Sequence, residues 1–149
     1  MINVAIVGLG WWGRYIVSSL HGHSNKIRFL RAIDINPDTA RDFSNENQLL
    51  FSAVYADALN DDRIDAIILA TPHSLHEEQT IQAAAAGKHV FTEKPLALSK
   101  ESAVRTISAC ERAGVILGIG HERRFEPALL EVKNLIECNE LGTIMHIEA

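Results

Sequence analysis

Short runs of apolar, β-branched residues alternate along this chain with longer segments whose apolar positions recur every three or four residues. Asn3–Val7, Arg28–Asp34, Ala66–Ala70, His89–Thr92 and Val115–Ile119 are nearly continuous in their hydrophobicity, the pattern of strands buried on both faces of a parallel sheet. Trp12–Leu20, Pro37–Asn47, Leu75–Ala86 and Lys100–Ala113 carry helical spacing, and the last two run into Gly87 and Gly114, where a glycine is the expected stop. Pro37 and Asp38 suit a first helical turn. Ser99, two residues before Glu101, marks a cap region without a full capping box. Phe51–Arg63 is less regular, with a short strand expected at Val54-Tyr55 and a short helix over Asp57–Asp62. Pro127–Glu137 is again helical, and Ile144–Glu148 is strand-like. Alternation of this kind predicts an α/β fold, a doubly wound parallel sheet.

Length and composition narrow the function classes. The chain has 149 residues, 47% hydrophobic and 22% charged, which suits one globular domain with a full core. A net charge of −5 with no Lys/Arg run gives no reason to expect a nucleic-acid or membrane partner. The apolar opening Ile2–Leu9 is too short to span a bilayer and leads into glycines instead of a cleavage site, so a cytoplasmic protein is expected. Cys110 and Cys138 lack metal or redox spacing and are expected as buried free thiols, with no metal site.

The first strand leads directly into Gly8-Leu9-Gly10-Trp11-Trp12-Gly13, which opens a helix. This is GxGxxG in the strand-turn-helix setting of a dinucleotide site. Gly8 permits the tight turn, Gly10 lets the backbone approach a pyrophosphate, and Gly13 brings the helix close to the strand; the helix N-terminus then faces the phosphates. Asp34 closes the second strand about 20 residues further on, where a carboxylate accepts from the adenosine ribose hydroxyls and repels a 2′-phosphate. Ile35-Asn36-Pro37 contains no arginine, so NAD is expected, with NADP as the alternative and Arg41 within reach from the next helix. A packing turn without ligand, and a simple turn acid at Asp34, remain the plainer readings. For Trp11 and Trp12, stacking on a cofactor ring and a split between core and phosphate crevice stay open.

Ligands of open parallel sheets lie beyond the carboxyl ends of the strands, which directs attention to Thr71-Pro72-His73-Ser74-Leu75-His76 and Glu93-Lys94-Pro95. Thr71 and Pro72 can shape a wall along the cofactor, and His73 and His76 either face it or serve the structure. Lys94 is the candidate for moving a hydroxyl proton during hydride transfer; a solvated Glu93–Lys94 charge pair is the alternative.

Taken together, these residues resemble the glucose-fructose oxidoreductase, inositol dehydrogenase and rhizopine-catabolism (Gfo/Idh/MocA) family. The likeness rests on Val7–Gly13, Ala70–His76, Ala83–Val90, Phe91–Leu96, Gly120–Phe125 and Leu141–Ile144, with Glu93-Lys94-Pro95 the specific part. It implies an N-terminal Rossmann domain, and oxidation or reduction of a sugar or cyclitol alcohol with NAD or NADP. It also implies that Lys94 is catalytic, and that Glu93 and Lys94 lie beside the nicotinamide ribose. Thr71, Pro72, His73 and His76 would line the cofactor, and Arg124 would touch cofactor or substrate. The cofactor-binding set expected on all grounds is Gly8, Leu9, Gly10, Trp11, Trp12, Gly13, Asp34, Ile35, Thr71, Pro72, His73, His76, Glu93, Lys94 and Arg124. Residues 1–120 are expected to form the dinucleotide-binding domain. Residues 121–149 would supply a crossover helix and the first strand of a truncated second domain, the family's C-terminal α/β domain otherwise being absent. A cofactor-binding chain with little turnover of its own is the resulting expectation, with a non-catalytic NAD-sensing module and an S-adenosylmethionine-dependent methyltransferase as the competing readings. Ile144–Glu148 leaves homo-oligomer formation open.

Overall fold

The computed structural model describes residues 1–148. Six strands form one parallel sheet: β1 Ile2–Val7, β2 Ile27–Ile33, β3 Leu50–Ser52, β4 Ala66–Leu69, β5 His89–Glu93 and β6 Leu117–Gly120. Their spatial order is β3-β2-β1-β4-β5-β6. The chain therefore winds outward from β1 in one direction, returns, and winds outward from β4 in the other. The reversal leaves the carboxyl ends of β1 and β4 diverging, which is the topological switch point where such sheets bind ligands. The helices are α1 Trp11–Leu20, α2 Pro37–Glu46, α3 Ala56–Leu59, α4 His76–Ala85, α5 Lys100–Ala113 and α6 Pro127–Glu137, with short 3₁₀ turns at His73–Leu75 and Glu122–Phe125.

The central strands β1, β2 and β4 are apolar on both faces because both faces are packed. Val4, Ile6, Phe29, Ala32 and Ile68 point toward Val17 of α1 and Ala40 of α2. The alternate positions Ala5, Val7, Ile33, Ile67, Leu69 and Val90 meet Ala58, Ile64 and Ala83 on the other side. Capping follows the residues expected for it. Ser99 Oγ accepts from the Ser102 N–H at 3.1 Å, and Gly114 ends α5 at φ 67°, a left-handed conformation natural to glycine.

Four expectations are corrected. β3 lies at Leu50–Ser52, in register with Arg31–Ile33, and Val54-Tyr55 is instead the turn into α3: Val54 donates to Ser52 Oγ at 3.0 Å, and Tyr55 is already helical in conformation. β6 starts at Leu117, because the Val115 N–H is still engaged by the Cys110 carbonyl at the end of α5. Ile144–Glu148 form no strand; a ladder needs a partner, and no strand among the described residues pairs with them. Cys110 is buried as expected, but Cys138 is exposed, since α6 buries none of its residues.

That last fact belongs to a larger one. On the α1 side of the sheet no helix among the described residues covers β5 and β6, and a trough of about 460 Å³ runs there between Trp12, Ile16 and Leu20 of α1 and Ile68, Phe91 and Ile119 of the strands. Leu129, Leu130, Val132 and Ile136 of α6 are exposed as well. No helix among the described residues is long and apolar enough to cross a membrane.

The turn from α3 to β4 is tied by cations. Arg63 and Arg31 bind the Asp61 carboxylate at 2.7 and 3.2 Å, and the buried Lys88 ammonium donates to the Asp61 and Ile64 carbonyls at 3.0 and 2.9 Å. Arg63, and then Arg31, hold the Asp61 carboxyl well below the usual carboxylate range against the opposing effect of burial. A depressed folded-state pKa adds stability above the unfolded value near pH 4, lost as the pH falls through the folded one. Asp61→Asn should therefore cost on the order of 1 kcal/mol in urea unfolding at pH 7, allowing for solvent screening of Arg63, and the deficit should shrink toward pH 2. An equal deficit at both pH values would exclude this ion cluster as the cause.

Candidate functional site

The three glycines of the turn differ in what requires them. Gly8 has φ 93°, and a Cβ on it would lie 2.5 Å from the Ala70 carbonyl oxygen. A Cβ on Gly13 would lie 1.9 Å from the Gly8 carbonyl oxygen. Both are demanded by the fold itself, since the turn crosses the end of β4 and α1 presses on the turn. Gly10 is not. Its φ is −64° and a Cβ there would meet nothing within 4 Å. The open space over Gly10 sits at the N-terminus of α1, where no side chain caps the helix and no acidic residue occupies the first turn. Unmet amides and the positive end of the helix dipole thus face solvent, the provision an anionic group needs.

Asp34 stands beside this turn. Its Oδ2 accepts from the Leu9 N–H at 2.6 Å and its Oδ1 from the Asn36 N–H at 2.8 Å. Each oxygen keeps a second lone pair for another donor. A cavity of about 330 Å³ opens at the switch point between Gly8, Gly10, Asp34, Ile35, Thr71 and Pro72, in the size range of small-molecule sites. Ile35 projects into it and is 89% exposed. Thr71 Oγ1 donates to Gln79 Oε1 at 2.6 Å, while Tyr55 donates from its hydroxyl to the Gln79 carbonyl at 2.9 Å, and burial pushes that phenol's pKa up. Gln79 and Tyr55 escaped sequence reading. Gln79 stands at helical spacing from Leu75 and His76, a signal that was there to use; Tyr55 was hidden by its strand-like neighbour Val54.

Beyond β5 the second half of the site is more open. Lys94 is exposed and lines a small cleft of about 130 Å³ with His121, Glu122, Arg123 and Arg124, so the structure brings Lys94 and Arg124 together. Lys94 forms no direct ion pair with Glu93 or any other acid among the described residues. The half-buried Glu93 carboxylate instead lies over Gly120, whose absent Cβ would come within 2.6 Å of it. The Lys94–Pro95 peptide is cis.

Four expected cofactor contacts are placed elsewhere. The Leu9 side chain is in the core and its N–H is taken by Asp34. Trp12 turns away from the crevice to line the apolar trough, stacking on Tyr15 at 5.1 Å, and Trp11 is 76% exposed, outside both. His76 is fully buried, its Nδ1 and Nε2 lying 2.8 and 3.0 Å from the carbonyl oxygens of Pro95 and Thr71, so it braces the wall from behind. Its neighbour His73 is exposed at the rim, 5.7 Å away between ring centres.

Residues 2–121 match the model of an oxidoreductase family with an NAD-binding Rossmann fold, Gfo/Idh/MocA. The chain belongs to that family. This Gfo/Idh/MocA domain is 35% identical over 146 residues to the 2,7-anhydro-N-acetylneuraminate hydratase of Escherichia coli, a match covering 97% of this chain and 38% of the relative. It is 33% identical over 142 residues to the scyllo-inositol 2-dehydrogenase (NAD(+)) of Bacillus subtilis, covering 95% and 42%. It superposes with a TM-score of 0.89 and 26% identity on the scyllo-inositol dehydrogenase of Lactobacillus casei, solved with NAD(H) and scyllo-inositol, covering 97% of this chain and 43% of that one. The chain thus spans about two-fifths of the length of these relatives, and the cofactor of its family fold is NAD.

Proposed function

We propose that this domain is the cofactor-binding half of an oxidoreductase that moves a hydride to or from a carbon bearing a hydroxyl on a sugar or cyclitol. The observation that carries this reading is Gly10, a glycine that nothing among the described residues requires, at an uncapped helix N-terminus. The residues fit NAD. The turn Gly8–Gly13 and the α1 amides would hold the pyrophosphate, Asp34 the adenosine ribose, and Ile35, Thr71 and Pro72 the walls of the adenosine cavity. Glu93, Lys94 and Arg124 would meet the nicotinamide end.

When bound, the cofactor supplies or accepts the hydride. The chain's own part is to position and to handle the proton. Lys94, exposed in its cleft, would hydrogen-bond the substrate oxygen, returning a proton to it as the ammonium during reduction and taking the hydroxyl proton as the neutral amine during oxidation, while Arg124 orients the oxygen-rich substrate from the same cleft. The relatives named for anhydro-sialic acid and scyllo-inositol support polyhydroxylated substrates. Two free thiols accord with a reducing, cytoplasmic setting.

A second reading is favoured by the apolar trough and the bare apolar residues of α6: an NAD-binding module that works only with another polypeptide, whether a partner or a second copy. Turnover of polyols by the chain alone at ordinary dehydrogenase rates would exclude it.

Calorimetric titration with NAD and NADP tests the main reading. The wild-type chain should bind NAD in preference to NADP. Gly10→Ala should unfold at nearly the wild-type temperature, because its Cβ meets no protein atom, yet lose at least about tenfold in NAD affinity as the methyl enters the pyrophosphate's space. Unchanged affinity in that variant would remove the glycine turn from the site.

A further inference from the structure

We propose that His76 is the positioning residue for Lys94, acting as a clamp between the two loops of the site. The inference rests on the reading that Lys94 faces the nicotinamide end of the cofactor. Lys94 has no ion-pair partner among the described residues, so its ammonium is placed by the backbone that carries it. Glu93 is fixed independently by its ladder position opposite Gly120, but past β5 hydrogen bonds to the chain are few. Over Pro95–Leu98 the one hydrogen bond made among the described residues is to the Pro95 carbonyl oxygen, 2.8 Å from His76 Nδ1.

The other ring nitrogen reaches back across the sheet. His76 Nε2 lies 3.0 Å from the carbonyl oxygen of Thr71, at the end of β4 and on the wall of the adenosine cavity. One fully buried imidazole therefore spans the loop after β4 and the loop after β5. It opens α4, the crossover helix between the same two strands, so its own backbone is anchored to both. A neutral ring donates to one of the two carbonyls and the cation to both; in either state the ring sets the gap between the loops. A residue kept only for bulk would have no need of polar atoms at both ends, and burying them without partners would be costly.

Two amide replacements separate the clamp from mere filling of space. Asparagine places an amide nitrogen near the former Nδ1 and preserves the bond to Pro95. Glutamine is closer to histidine in volume but places its amide near the former Nε2 and serves Thr71. The proposal expects His76→Ala and His76→Gln to lose about tenfold in NAD affinity, the range of one buried hydrogen bond, with His76→Asn within about threefold of wild type. ADP-ribose, which lacks the nicotinamide, should bind His76→Gln, which keeps the Thr71 contact, within about twofold of wild type. Hydrogen exchange of the ligand-free chain, read on a peptide covering 94–99, should be faster in the His76→Ala and His76→Gln proteins than in wild type or His76→Asn. Glutamine matching or outperforming asparagine, or the same exchange in all four proteins, would overturn the clamp. Failure of the wild type to bind NAD would defeat the functional reading instead, and the exchange comparison would still decide whether His76 holds the loop.

Discussion

Gly13→Ala is expected to lower the melting temperature by about 10 °C and to abolish measurable NAD binding. The added methyl would sit 1.9 Å from the Gly8 carbonyl oxygen, and neither side of that contact is a flexible side chain. Gly8 cannot yield, because its own turn lies against the Ala70 carbonyl at a φ of 93°. Helix α1 cannot yield cheaply either, since Val17 is buried among Val4, Ile6 and Phe29. Overpacking in a core costs about 1–3 kcal/mol where side chains can adjust; a backbone-to-backbone clash should exceed that, at about 3 kcal/mol or more. For a chain of this size each kcal/mol is worth roughly 2–4 °C. Binding fails for the same geometric reason, because α1 can move only by carrying its N-terminal amides away from the turn. Gly10→Ala is the internal control, stable but impaired in binding. Equal melting temperatures for Gly13→Ala and Gly10→Ala would mean that the helix does not sit on the turn as described.

The contrast between these glycines shows which parts of the site a sequence can reveal. Gly8 and Gly13 act through neighbours fixed by the strand-turn-helix unit, so their spacing alone carried their roles, and the alternation of apolar runs was enough to yield the parallel, doubly wound sheet. What failed depended on distant partners. Leu9 has the residue type and place of a turn residue exposed to ligand, but its N–H is captured by Asp34 and its side chain by the core. His76 lies in a motif that suggests a cofactor wall, and only the fold reveals that its ring partners are the carbonyls of Thr71 and Pro95, the latter 19 residues away. Val54-Tyr55 has better strand propensity than Leu50–Ser52, but the register with Arg31–Ile33 and the bond from Val54 to Ser52 Oγ decide otherwise.

The same logic explains why the apolar trough and the exposure of α6 went unread. Trp12, Ile16 and Leu20 recur at helical spacing, as do Leu129, Val132 and Ile136, and spacing of that kind predicts a buried face without naming what buries it. α1 buries Gly13 and Val17 and leaves the trough open beside them; α6 buries nothing. Periodicity marks a face suited to packing, and here it leaves both faces without a cover among the described residues.

Asp34→Ala is expected to weaken NAD about a hundredfold while weakening NADP far less, so that the preference between them nearly vanishes. Two separable effects combine. The carboxylate accepts from the Leu9 N–H in a part-buried position at 2.6 Å; a bond to a charged acceptor contributes about 1.5–3 kcal/mol, and its loss strands a donor. The turn should therefore loosen for either cofactor, with about 2 kcal/mol of stability lost in denaturant unfolding. The second effect is selective. With NAD the remaining lone pairs of Asp34 accept from the ribose hydroxyls, whereas with NADP the same charge faces a 2′-phosphate and repels it. Removing the carboxylate takes a bond from NAD and a repulsion from NADP. Asp34→Asn distinguishes the two: it has no charge to repel a phosphate but keeps one oxygen to accept from Leu9, so it should recover most of the lost stability and little of the selectivity. Calorimetric titration of both variants with both cofactors measures this directly. A NAD-to-NADP ratio equal to that of the wild type in Asp34→Ala would confine Asp34 to holding the turn and leave cofactor choice to other residues.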